Sequence, residues 1–217
     1  MLPVKPSTIL ILTRLLALDT EESSRKKLNY SDTQTLQLVD TRSQQAFQAR
    51  HAKGALNLNP SVFDKFAHHF LNTDQAIAFV LETEAPSSLS ELEALVQENG
   101  YTQVKGYLLA DDIPAKDRQA IATISVEEFL EQDKDFTLLD LRNPAEITRA
   151  APDTNLTNLP LENLANDYSM LQPGQTIYTL CGSGNRATVA ASFLNQQGYQ
   201  SVVIEGGMKA VEANRQA

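Results

Sequence analysis

Apolar positions along the chain fall into two alternating patterns. FTLLDLR (136–142), IYTLC (177–181) and SVVIE (201–205) are short, nearly continuous apolar runs, the pattern of strands buried on both faces. Between the last two lies RATVAASFLNQQ (186–197). There Val189, Ala190, Phe193 and Leu194 recur at the spacing of one helix face, and Gly198 stands where a C-terminal cap belongs. Ahead of the first run, Ser125 and Glu128 bracket the start of VEEFLEQ as a capping box does. In the first half, SSLSELEALVQENG (87–100) predicts another helix closed by a glycine. Strands alternating with helices predict an α/β fold, with small parallel sheets covered by helices on both faces.

The pattern occurs twice. LQLVDTRSQQAF (36–47) matches FTLLDLRNPAEI (136–147), placing Asp40 on Asp140 and Arg42 on Arg142 at an offset of 100. IAFVLE (77–82) matches TIYTLC (176–181) at an offset of 99, which sets Glu82 against Cys181. ENGYTQVKG (98–106) matches QQGYQSVVIEGG (196–207) at an offset of 98. Chance likeness between apolar strands explains one such match but not three in order. The charged stretch ADDIPAKDRQA (110–120), with Pro114 and no apolar periodicity, reads as the joint. The expected units are 1–112 and 120–217.

Composition narrows the class. The 217 residues are 42% hydrophobic and 21% charged, as in a soluble globular chain. The net charge is −9 and no basic run occurs, which argues against nucleic acid as a partner. The apolar stretch ILILTRLLAL (9–18) is too short to span a bilayer and is interrupted by Arg14. Acidic residues, not a small-residue cleavage site, follow it, so a packed helix or strand is expected there and no membrane partner. A single cysteine excludes an internal disulfide and is compatible with a cytoplasmic location.

That cysteine carries the chemistry. Cys181 ends a strand and opens CGSGNRA (181–187), with a helix starting near Arg186. Gly182 and Gly184 free the loop to turn successive N–H groups inward, toward the donors at the helix N-terminus. Such an anion cradle lowers a thiol pKa and favours the nucleophilic thiolate. Arg186 adds a fixed cation with planar donors. A lone cysteine after an apolar strand is ordinarily an inert core residue, but an inert one needs no donor-rich loop. With three histidines, two of them adjacent (His68, His69), no metal site is expected, and no phosphate-loop or dinucleotide fingerprint is present.

CGSGNRA resembles the active-site loop C-R-S-G-x-R-[SA] of rhodanese-type sulfurtransferases. DTRSQQAFQARHAKGALNLN (40–59) is similar to that family's D-x-R…H-I-P-G-A-x-N motif. DLRNPAEI, NLPLENL and VVIEGGMKAV repeat its later landmarks. The resemblance spans most of 35–110 and 122–213 and implies two tandem rhodanese-like domains. It implies Cys181 as the nucleophile, with Gly182, Ser183, Gly184, Asn185, Arg186 and Ala187 forming the substrate cradle and Asp140 and Arg142 in support. It also implies a small anionic sulfur donor, a thiol, cyanide or protein acceptor, and no cofactor. The first copy, with Glu82 in place of cysteine and no loop glycines, is expected to be silent. The second copy departs from the family at RAAPDTNL (149–156), where H-I-P-G-A is lost. Two other readings remain. Cysteine phosphatases and arsenate reductases use a related cradle, but with five residues between Cys and Arg where this chain has four. A non-catalytic binding module would keep the fold without the chemistry.

Overall fold

Each apolar run pairs with runs from its own half of the chain, so the duplication in sequence is a duplication of sheets. A computed structural model describes residues 26–133 and 135–216; the expectation for ILILTRLLAL lies outside them. The first copy runs β1 (Gln37–Asp40), α1 (Gln44–Ala49), β2 (His51–Ala52), β3 (Leu56–Asn57), α2 (Pro60–Phe70), β4 (Ile77–Leu81), α3 (Pro86–Glu98) and β5 (Val104–Leu109). Its sheet has the order β3-β1-β4-β5, parallel throughout. After β6 (Arg118–Gln119) come β7 (Ala122–Ile124), α4 (Val126–Leu130), β8 (Phe136–Asp140), β9 (Leu156–Asn158), α5 (Leu161–Asp167), β10 (Thr176–Leu180), α6 (Asn185–Gln196), β11 (Gln200–Ile204) and α7 (Gly207–Asn214). This second sheet has the order β7-β11-β10-β8-β9 and is also parallel. In the first copy the place of β7 is taken by a bridge from Lys27 to Tyr107. The capping box at Ser125 and Glu128 is present at the start of α4, and Gly198 takes φ +84° beyond α6.

Alternation along the second sheet sorts its side chains between two cores. Leu138, Tyr178, Leu180 and Ile204 point to a core closed by α4 and α7, with Val126, Phe129, Met208 and Val211. Leu139, Ile177 and Val203 point the other way, into a core continuous with that of the first copy. Helix α6 lies in this shared core. Sequence spacing gave it one apolar face, yet every residue from Ala187 to Leu194 is buried. The reason is that the two copies cover it from opposite sides. Its polar positions are met by the first copy: Gln48 Nε2 donates to Thr188 Oγ1 (2.7 Å), and the Asn57 N–H donates to Ser192 Oγ (3.3 Å). Phe193 packs edge-on against Phe70 of the first copy and Tyr168 of the second.

The charged joint is fastened to the first copy. β6 pairs antiparallel with β2, the Lys53 N–H donates to the Asp117 carbonyl, and Arg118 donates to the carbonyls of Ile113 (2.6 Å) and Asp111 (2.9 Å). Buried Ile113 and Ile121 anchor it at either end. Among the described residues no helix is long and apolar enough to cross a membrane.

His51 marks where this joint meets the first copy. Its ring stacks on Phe47 with centroids 3.9 Å apart, and Nδ1 lies 2.8 Å from the Phe47 carbonyl. Burial disfavours the imidazolium and lowers its pKa from 6.5 to about 4. The unfolded chain therefore binds the proton first as the pH falls. The neutral ring's contribution is fully present above pH 6.5 and is lost as the pH falls toward about 4, a loss of about 3 kcal/mol. Urea unfolding near pH 7 and near pH 4.5 checks this: His51→Gln should lose about 2 kcal/mol less than wild type between the two. Equal losses would show that His51 does not titrate on unfolding.

Candidate active site

The loop after β10 is shaped by two glycines. Gly184 caps α6 with φ +101°, and a Cβ there would fall 2.9 Å from Gln44 Oε1 of the first copy. Its N–H donates to Cys181 Sγ at 3.2 Å. Gly207 opens α7 with φ +60°, and a Cβ there would meet the Cys181 carbonyl oxygen at 2.4 Å. That close approach lets the Met208 N–H donate to the Cys181 carbonyl (2.8 Å) and the Lys209 N–H to that of Gly182 (3.2 Å). The start of α7 thus supports the loop from behind. The sequence showed GG only as a turn after β11, because the neighbour that forbids a side chain lies 26 residues away in the chain.

Asp140 and Arg142 form a buried brace beside the loop. Arg142 Nε donates to Asp140 Oδ1 (2.9 Å) and Nη2 to Oδ2 (2.6 Å), while Nη1 donates to the Arg149 carbonyl (3.1 Å). Hydrogen bonding to Asp140 holds the guanidinium above its ordinary range, with Glu146 and a Cys181 thiolate adding to it. Neither residue lines the cavity described below. Removing either partner would leave a buried charge uncompensated, a cost of about 3–5 kcal/mol. Sequence reasoning missed the third member. Asn158 Nδ2 donates to the carbonyls of Asp140 and Arg142, both at 2.9 Å, and Asn57 does the same for Asp40 (3.1 Å) and Arg42 (3.0 Å). The pairings Asp40↔Asn57 and Asp140↔Asn158 explain the repetition. Its trace in the sequence is the Asn-Leu pair shared by LNLNP and TNLPL.

Cys181 lies at the floor of a cavity of about 580 Å³ and is only 1% exposed. One wall comes from the second copy: Ser183, Asn185, Arg186, Asn143, Glu146 and Glu162. The facing wall comes from α2 of the first copy: Ser61, Val62, Lys65 and Phe66. Asn185 ties the two together, accepting from Asn59 Nδ2 (3.3 Å) and donating to Ser61 Oγ (3.2 Å). Arg186, expected to meet the donor's anionic end, is ion-paired with Glu146 at the cavity edge. Glu162 accepts from Asn143 Nδ2 (2.8 Å). Of the six cradle residues, Gly184 alone has its N–H bonded to the sulfur. Ala187 is wholly buried and outside the lining, its carbonyl accepting from Thr179 Oγ1 (3.2 Å).

The first copy is closed at the equivalent place, and the residue there is not the one the sequence match implied. The ladders pair Asp40 with Val80 and Asp140 with Leu180. The counterpart of Cys181 is therefore Leu81, and Glu82 falls on Gly182. Matching IAFVLE to TIYTLC slipped by one because apolar letters in a buried strand carry no register; the hydrogen-bond ladder does. Leu81 is buried, Glu82 pairs with Arg42 Nη1 (3.2 Å), and the remaining cavity is about 100 Å³. In the second copy, the segment that lost H-I-P-G-A is held by α7 and its C-terminal end. Arg149 pairs with Glu212 (3.7 Å), and Arg215 donates to the Ala150 carbonyl (3.0 Å). Among the described residues no group of three or more His, Cys, Asp or Glu could hold a metal ion.

Comparison with known proteins places these features in context. The family model for the rhodanese-like domain matches residues 24–109 and again 125–214. The chain is 33% identical over 88 residues to a sulfurtransferase of Allochromatium vinosum, covering 40% of this chain and 80% of that one. Among solved structures, it is similar to a rhodanese-related protein from Thermoplasma volcanium at 30% identity and a TM-score of 0.40, covering 42% of this chain and 92% of that one. A thiosulfate sulfurtransferase from Pseudomonas aeruginosa aligns at 19% identity and a TM-score of 0.37, covering 93% of this chain and 41% of that one.

The support behind the loop gives a direct test. Gly207→Ala places a methyl against the Cys181 carbonyl and adds a strained φ, so it should cost about 1–3 kcal/mol in urea unfolding and slow Cys181 alkylation. Gly174→Ala, at φ +86° with open space around its Cβ position, is the control for φ strain alone. Equal alkylation rates in the two variants would remove the supporting role of Gly207.

Proposed function

This chain belongs to the rhodanese-like domain family, and on that premise we propose that it is a sulfurtransferase that carries sulfane sulfur on Cys181. The observation that carries the reading is the Gly184 N–H, 3.2 Å from Sγ at the floor of the 580 Å³ cavity. The same donor can serve a thiolate and, one bond further out, a persulfide, both anions carried by a buried residue. The thiolate attacks the outer sulfur of a donor such as thiosulfate. The donor's S–S bond breaks, sulfite leaves with the bonding pair, and Cys181 holds a persulfide. An acceptor thiolate then attacks the terminal sulfur, and the new S–S bond forms as the bond to Cys181 breaks. The thiolate is restored, and no external oxidant or reductant is consumed.

The cavity edge bears on donor charge. Glu146 neutralises Arg186, so an anionic donor must compete with a carboxylate for the guanidinium. Lys65 is the other cation of the lining.

Incubation with thiosulfate should add one sulfur atom to intact wild-type protein by mass spectrometry and none to Cys181→Ser. No gain with thiosulfate or mercaptopyruvate would overturn the reading. Glu146→Gln should raise kcat/KM for thiosulfate about threefold by freeing Arg186. An unchanged or lower value would show that Arg186 does not meet the donor.

A further inference from the structure

The first copy has no cysteine, yet it reaches the sulfur site through two glutamines one helical turn apart. Gln44 and Gln48 lie on one face of α1. Gln44 Nε2 donates to the Ser183 carbonyl at 3.2 Å. Gln48 Nε2 donates to Thr188 Oγ1 at 2.7 Å, and that hydroxyl donates to the Gly184 carbonyl at 3.0 Å. The carbonyls on both sides of Gly184 are therefore held from α1, one directly and one through a hydroxyl.

The first of these contacts matters for the chemistry. The Ser183 carbonyl and the Gly184 N–H belong to one planar peptide unit. Its oxygen is held by Gln44, and its N–H faces Cys181 Sγ. With glycine at 184 the unit is free to rotate as a block, because positive and negative φ cost glycine about the same. Rotation would turn the carbonyl oxygen toward the sulfur and set a negative dipole against a thiolate. Among the described residues the buried Gln44 carbonyl oxygen accepts no hydrogen bond.

We propose that Gln44 is a positioning residue for the sulfur chemistry of Cys181, a latch from the cysteine-free copy that holds the Ser183–Gly184 peptide with its N–H toward the sulfur. The proposal rests on the sulfurtransferase reading for its purpose, but not for its test. Alkylation by iodoacetamide, an uncharged reagent, reports the thiolate whether or not sulfur is transferred. In the full chain, Gln44→Met removes the donor at similar length. It should move the alkylation profile to higher pH and slow alkylation near neutral pH about tenfold, as expected for loss of a hydrogen bond to a charged group. Gln196→Met is the control. It removes a hydrogen bond between the copies, to the Gly54 carbonyl at 2.9 Å, that does not touch the loop. Its profile should overlay wild type. If Gln44→Met does not yield folded protein, Gln48→Met carries the test and should shift the profile in the same direction. A Gln44→Met profile that overlays wild type, or an equal shift in Gln196→Met, overturns the latch. Wild-type protein that alkylates as expected but takes no sulfur from either thiosulfate or mercaptopyruvate would sink the sulfurtransferase reading and leave the latch standing.

Discussion

A buried cysteine, 1% exposed, can carry negative charge on its sulfur only if its surroundings supply what bulk water would have supplied. Here that supply is one backbone N–H, from Gly184, held at 3.2 Å. The features around the loop keep that donor in place. Gly207 gives α7 room to approach the Cys181 carbonyl, the Asp140–Arg142 pair fixes the adjoining strand end, and α6 begins where the loop must stop. The proposed chemistry depends on an orientation of backbone.

The first copy supplies the second wall of the cavity that Cys181 lines. α6 follows the cysteine loop directly and is buried from Ala187 to Leu194 between the sheets. The first copy contributes α2 to the cavity and α1 to the loop, and it retains the Asp–Arg–Asn brace although its own cavity has shrunk to about 100 Å³. Duplication gave it the geometry of a sulfur site. Leu81, and Glu82 paired with Arg42, fill that geometry. Its α1 and α2 pack on the cysteine loop of its twin.

Much of this was legible in the residues. Alternating apolar runs placed the main strands and helices, the capping box at Ser125 was readable residue by residue, and the repeat announced two sheets. Three things were not. The edge strands β7 and β9 are too short and too polar to show a period. The slip that set Glu82 on Cys181 arose because apolar letters in a buried strand do not record register. The partner of Arg186 was hidden because Glu146 is 40 residues away in the chain. In each case the missing information was a contact between distant segments.

The sequence by itself determined the class of fold, its repetition, and the place of the one cysteine, because these follow from local periodicity, from glycine, and from the count of cysteines. Only the tertiary structure decided what faces that cysteine. Whether Gly184 turns its N–H toward the sulfur or away is a choice glycine leaves open. Gln44, 139 residues away in the chain, holds the carbonyl end of that peptide. A free backbone torsion is settled by whatever packs against it, and packing is a property of the assembled chain.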